Sequence, residues 1–163
     1  ASACVDPADQ PPMKLTDILR KDCILVPLQA TDKTAAITEL VDRLAEKGEV
    51  TDRDQVRQAV LDREATRATT VGHGLAVPHG KCAGSPKLAM AIGKPREPID
   101  FGGPDDEPVD LIVLVCSSPD QTGPHIQALA RIARLILIDK FHRAISKATT
   151  ADEVYDVIAQ HEI

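Results

Sequence analysis

At 163 residues the chain has the length of one domain and can bury a core of its own. Hydrophobic residues make up 43% and aromatics 2% with no Trp, so the core must be Leu, Ile, Val and Ala, and few rings are left to stack on nucleobases. A net charge of −6 gives no general attraction to a phosphate backbone, and the longest apolar stretches, Leu111 to Cys116 and Leu135 to Ile138, are far short of a bilayer, which argues against nucleic-acid binding and membrane insertion.

Ala1 to Pro12 carries three prolines and no helical period, and reads as a flexible tail or a remnant of expression ahead of one domain over 13–163, with Met13 a candidate native start. It lacks the charged and apolar regions of a secretory signal. Cys4, Cys23, Cys82 and Cys116 form no CxxC pair, so reduced thiols in a cytoplasmic protein are expected rather than a zinc site or a disulfide framework.

Leu15 to Arg20 reads as a short helix leading into a strand over Cys23 to Leu28. Thr31 or Asp32 caps the first long helix, where Ile37, Leu40, Val41 and Leu44 recur at helical spacing until Gly48 ends it. Thr51, with Asp54 three residues on, starts a second helix with Val56, Ala59 and Val60 on its apolar face and Arg63 on the next turn. From Thr69 to Lys94 short β-like runs are broken by Gly72, Gly74, Gly80 and Gly84, with a strand over Leu88 to Ile92. Lys94 to Pro108 is a loop, and Val109 to Cys116 is a strong strand. Gln121 to Gly123 precede a helix with Pro124 in its first turn and Ile126, Leu129, Ala130, Ala133 and Leu137 as its buried face. Thr150 and Glu153 form a capping box that opens a last helix with Val154, Val157 and Ile158 inside. Alternating helices and strands make the fold α/β, a single-domain sandwich of a mixed sheet flanked by helices.

Glu64 to Lys81 is the chemically informative stretch. Pro78 fixes its own φ and biases Val77 towards extended backbone, so His79 leaves a rigid edge in a defined direction, with Gly80 leaving space beside the ring. A neutral imidazole is a nucleophile that can accept a phosphoryl group on a ring nitrogen. Arg63 stands at a helix end, where its planar fork suits phosphoryl oxygens. His125 follows Thr122-Gly123-Pro124 at a helix start, where free N–H groups favour an anion and disfavour a protonated ring. Arg63 as a solvated helix residue and His125 as a first-turn surface residue are the plainer alternatives.

The run Glu64, Val71-Gly72 and Leu75-Ala76-Val77-Pro78-His79-Gly80 resembles the phosphorylation-site signature of the fructose- and mannitol-type enzyme IIA family of phosphotransferase systems. The resemblance covers nearly all of Met13 to Glu162, including Arg63-Glu64, Pro98-Ile99-Asp100-Phe101, Pro108-Val109-Asp110-Leu111 and Asp120-Gln121-Thr122 ahead of His125. It departs at Thr70, where many relatives have Gly after Thr. The resemblance implies that His79 is the phosphohistidine, with Nε2 as the acceptor, and that Arg63 and His125 support it. It also implies a histidine-containing phosphocarrier protein as donor, with no metal or other cofactor. DQTGPHIQALARIARL and ATTADEVYDVIAQHE look most like the nitrogen-related regulatory branch, in which regulatory target proteins are the recipients. The sugar-specific fructose branch, passing phosphate to a IIB domain, is the alternative. The absence of a fused IIB or membrane domain favours the regulatory reading at this stage.

The remaining candidates have blander readings. His73 is a glycine-flanked residue that either lines the pocket or lies on the surface, and His142 and His161 are expected to face solvent. Asp105, Asp106 and Glu107 read as an acidic solvated loop rather than a metal site.

Overall fold

A computed structural model describes residues 14–103 and 107–162. The tail expected over 1–12, Met13, Cys4 and the loop residues Asp105 and Asp106 lie outside the described residues. The elements run β1 (Leu19–Leu28), α1 (Lys33–Glu46), α2 (Arg53–Thr66), β2 (Thr70–Gly72), β3 (Leu75–Ala76), β4 (His79–Lys81), β5 (Ala89–Pro95), β6 (Leu111–Ser117), α3 (Thr122–Ile136), α4 (Asp139–Lys147) and α5 (Ala151–His161).

The strong strand expected from Val109 to Cys116 is β6, the centre of a six-stranded mixed sheet ordered β1-β5-β6-β3-β2, with β4 also paired to β6. All seven residues of β6 are buried. Its side chains alternate between two apolar layers, as a strand covered on both faces requires. Leu111, Val113 and Val115 meet residues of α3, α4 and α5, while Ile112, Leu114 and Cys116 meet those of α1 and α2. The fold is therefore the α/β sandwich expected from the alternation of elements.

β3 and β4 run parallel to β6, one after the other: Leu75 pairs with Leu111, and His79 with Val115. Pro78 falls in the gap between them, because it has no N–H to give to a ladder, yet its carbonyl still accepts from Val115 N at 3.0 Å. On the far side of the sheet, Lys94 at the end of β5 donates to the carbonyls of Ile145 (2.6 Å) and Ala148 (2.7 Å) and so holds the C-terminal end of α4.

Several local expectations change. Leu15–Asp17 is a single 3-10 turn, and β1 begins at Leu19, ahead of the expected Cys23. The charged run Arg20-Lys21-Asp22 masks the start of the strand, and suits β1 because it is an edge of the sheet. The cap of α2 is Asp52, which accepts from Gln55 N at 3.1 Å, while the Thr51 hydroxyl donates to the Gly84 carbonyl. At α5, Thr150 Oγ1 accepts from Glu153 N as expected, and the Glu153 carboxylate reaches one residue further back to Thr149 N. The buried face of α3 is His125, Ala128, Ile132, Leu135 and Ile136, one residue out of step with the stripe expected from the sequence. Ile126 is 58% exposed and Leu137 is 65% exposed. The helix is apolar on more than one side, so periodicity alone does not choose the face. α4 was not anticipated; it buries only Phe141 and Ile145.

Candidate functional site

His79 is the first residue of β4, and the backbone on both sides of Pro78 is tied down. Val77 N donates to the Thr69 carbonyl at 3.0 Å on one side, and Val115 N donates to the Pro78 carbonyl on the other. Thr69 is itself clamped by the buried Glu64, whose carboxylate accepts from Thr69 N at 3.1 Å and Thr69 Oγ1 at 2.7 Å. The carboxylate in the Arg63-Glu64 pair thus shapes the loop that leads to His79.

Gly80 has a different purpose from the one read in the sequence. A Cβ there would lie 3.0 Å from Val60 N and 3.1 Å from the carbonyl carbon of Ala59. The missing side chain lets β4 lie against the backbone of α2; it does not open space beside the imidazole.

The His79 ring is half-buried, and its Nδ1 lies 2.9 Å from the Val77 carbonyl oxygen. A carbonyl only accepts, so this contact assigns the proton to Nδ1 and leaves the lone pair on Nε2. The ring of His125 stands edge-on to it, with centroids 5.5 Å apart and planes at 67°. His125 is 3% exposed, its Nδ1 is 2.7 Å from Ser117 Oγ, and its buried Nε2 has no hydrogen-bond partner. Burial pushes its pKa down to about 4, helped by the nearby His79 and Lys81. The ring is therefore neutral at physiological pH, as expected, but burial rather than the helix start is the main cause.

α3 begins at Thr122, and Pro124 and His125 lie within its opening turns. Gln121 supplies no side-chain cap, so the first N–H groups of the helix stay available to an anion. Lys81 adds a cation there, with Nζ donating to Thr122 Oγ1 at 3.3 Å. Sequence reasoning missed Lys81, although the two-residue spacing from His79 within β4 puts both on one face. It also missed Ser117.

Arg63 lies in the last turn of α2, where its guanidinium donates to the Arg67 carbonyl at 3.1 Å and Thr66 Oγ1 at 3.4 Å. These bonds close the end of its own helix, and the structure gives Arg63 no hydrogen bond to either site histidine. The exposed Ile126 supplies apolar surface next to His125.

The other candidates lie elsewhere. His73, with φ of 58° in the Gly72–Gly74 turn, sets its ring against His142 at 5.9 Å. His142 and His161 are half-buried rather than solvent-facing; His161 Nδ1 donates to the Val157 carbonyl, and its ring packs edge-on to Phe141 at 5.4 Å. Burial pushes the Cys116 thiol up to about 12, so it stays protonated. Among the described residues no three His, Cys, Asp or Glu side chains are grouped to hold a metal ion. No helix among them is long and apolar enough to cross a membrane.

Known proteins share this arrangement of elements. The Nitrogen regulatory protein of Bradyrhizobium diazoefficiens is 34% identical over 147 residues, which are 90% of this chain and 95% of that protein. The PTS system fructose-specific EIIABC component of Bacillus subtilis is 29% identical over 150 residues, 92% of this chain but only 24% of that longer protein. The crystal structure of Nitrogen regulatory protein IIA-Ntr from Neisseria meningitidis superposes with a TM-score of 0.80 at 27% identity, covering 87% of this chain and 97% of that one. The family model for the phosphoenolpyruvate-dependent sugar phosphotransferase system, EIIA 2, matches residues 17–161, and the chain belongs to that family of phosphohistidine phosphocarriers.

Proposed function

We propose that this domain accepts a phosphoryl group on His79 Nε2 from a histidine-containing phosphocarrier protein, and that its phosphorylation state governs which regulatory proteins it contacts. The observation that carries the reading is the imidazole pair: an Nε2 lone pair on His79 beside a buried, neutral His125 with an unsatisfied Nε2. In the transfer, the His79 lone pair forms an N–P bond while the donor's N–P bond breaks and its imidazole keeps the electron pair. Nucleophile and leaving group are alike, so the domain's task is placement and charge neutralisation. Lys81 and the uncapped start of α3 meet the phosphoryl charge. Arg63, anchored through one arm of its fork, orients phosphoryl oxygens once a partner docks, and Ile126 belongs to the apolar rim that receives that partner. Such a partner places the reaction in the cytoplasm.

The regulatory reading is supported by the likeness to nitrogen regulatory proteins, at 34% identity and at a TM-score of 0.80. The likeness to the fructose-specific component supports the second reading, transfer to a IIB domain for sugar uptake. Incubation with phosphoenolpyruvate, enzyme I and the phosphocarrier, followed by intact mass and site mapping, tests the acceptor. One phosphate on His79, labile in acid and stable in alkali, is expected; stoichiometric labelling of His79→Ala would overturn the assignment. In the same assay Arg63→Lys keeps the charge and loses the fork, and should slow single-turnover transfer roughly tenfold while thermal stability changes little, because the bonds that close α2 are exposed. Offering the phosphorylated domain a IIB domain then separates the two recipients.

A further inference from the structure

We propose that Ser117 is a positioning residue that holds His125 as a neutral Nε2–H donor, so that the second histidine acts as a fixed hydrogen-bond donor and not as an acid. For its catalytic consequence this rests on His79 being the phosphoryl acceptor; the proton placement itself does not.

Ser117 is the last residue of β6 and is fully buried. Its carbonyl accepts from Cys82 N at 2.9 Å, and its neighbour across the ladder is Lys81, so its backbone is fixed to β4. Its hydroxyl has one partner among the described residues, His125 Nδ1 at 2.7 Å. That contact can be made in two ways. If the His125 Nδ1–H donates to Ser117 Oγ, the buried hydroxyl proton has no acceptor and the buried Nε2 lone pair has no donor. If the Ser117 hydroxyl donates to Nδ1, the hydroxyl is satisfied, and one group alone is left over, the Nε2–H.

The two site histidines are then held in complementary states by different second partners. The Val77 carbonyl takes a proton from His79 Nδ1 and leaves a lone pair at Nε2. The Ser117 hydroxyl gives a proton to His125 Nδ1 and leaves an N–H at Nε2. The ring centroids stand 5.5 Å apart, so the two imidazoles are immediate neighbours. A phosphoryl group on His79 therefore meets a neighbouring donor that is already desolvated and held by Ser117, an arrangement that stabilises charge with little reorganisation. The neutral state follows from the surroundings: the ring is buried, and the cation beside it is Lys81. His125 keeps its proton throughout, and the compensating positive charge comes from Lys81.

Nitrogen-15 NMR of the ring nitrogens in the full unphosphorylated chain tests the placement directly. At pH 7 the wild type should show His125 as the Nε2–H tautomer with Nδ1 accepting a hydrogen bond. Ser117→Ala should move the His125 Nδ1 signal towards that of a free imidazole and bring in the other tautomer. It should also slow phosphoryl transfer to and from His79 by roughly tenfold or more. Ser117→Thr keeps the hydroxyl and should restore both the signal and the rate. A wild-type spectrum with the proton on Nδ1 overturns the proposal without any variant being made. An unchanged Nδ1 signal in Ser117→Ala overturns it as well, and so does a shifted signal with wild-type transfer rates. His79→Ala should leave the His125 tautomer in place, so a failure of the acceptor assignment would be read in the phosphorylation assay and not in this spectrum.

Discussion

Burial takes His125 out of the pH range near neutrality in which an exposed imidazole exchanges its proton. In the unfolded chain its ring takes up a proton near 6.5, and in the fold only near 4. Between those values the unfolded state holds more protons, so this contribution to stability is complete above about pH 6.5 and is lost as the pH falls towards 4. The full effect is on the order of 3 kcal/mol, and about 2 kcal/mol of it should be gone by pH 5. Urea unfolding of wild type and His125→Gln at pH 7 and pH 5 isolates it, because other groups titrate equally in both proteins. The variant should lose less stability between the two pH values; equal losses would mean that the ring is not held neutral. The sequence allowed His125 to be read as neutral from Gly123-Pro124, but for the wrong leading reason. A helix start is visible in a sequence, whereas desolvation by α3 lying on β6 is not.

Among the elements, the contact between β4 and α2 sets where His79 stands. Gly80→Ala would drive a Cβ to 3.0 Å from the backbone nitrogen of Val60, and backbone within a helix gives way less easily than a flexible side chain. The variant should lose about 1–3 kcal/mol, and phosphorylation of His79 should slow because β4 moves with it. Gly123→Ala is the matched control, since nothing lies within 4 Å of a Cβ there; equal stabilities for the two variants would dismiss the close approach. The same elements show what periodicity reveals. In α1, Ile37, Leu40, Val41 and Leu44 were legible and are all buried, because the opposite face is polar. In α3 the apolar residues nearly encircle the helix, and the contact of His125 with Ser117 belongs to the face that is buried. α4 offered too few apolar positions to be seen beside α3, with Phe141 and Ile145 alone buried.

Across the whole molecule, the site depends on one pairing that no local pattern encodes. Because Lys81 pairs with Ser117, the end of β4 lies beside the end of β6, from which the chain passes through one 3-10 turn into α3. The Pro78-His79-Gly80 segment stands out in the sequence as the candidate site, while Ser117 closes an apolar run and looks like the start of a loop. The two ends of the described chain meet in a similar non-local way. Glu162, just after α5, is buried, and its carboxylate accepts from Leu15 N at 2.6 Å and Thr16 N at 3.1 Å, with Arg131 of α3 at 3.8 Å. It thereby fastens the turn at Leu15–Asp17, whose Leu15 is fully buried in the apolar layer with Val154 and Ile158 of α5. Glu162→Ala leaves two backbone N–H groups without their charged acceptor, one of them buried, and should cost about 2–4 kcal/mol. For a domain of this size that lowers the melting temperature by roughly 4–16 °C. Glu162→Gln keeps an acceptor oxygen and should recover part of the loss. Phosphorylation of His79 should proceed at the wild-type rate in both variants well below their melting temperatures, because Glu162 touches neither β4 nor the start of α3. A melting temperature of Glu162→Ala within about 1 °C of wild type would show that the clamp contributes nothing to the fold.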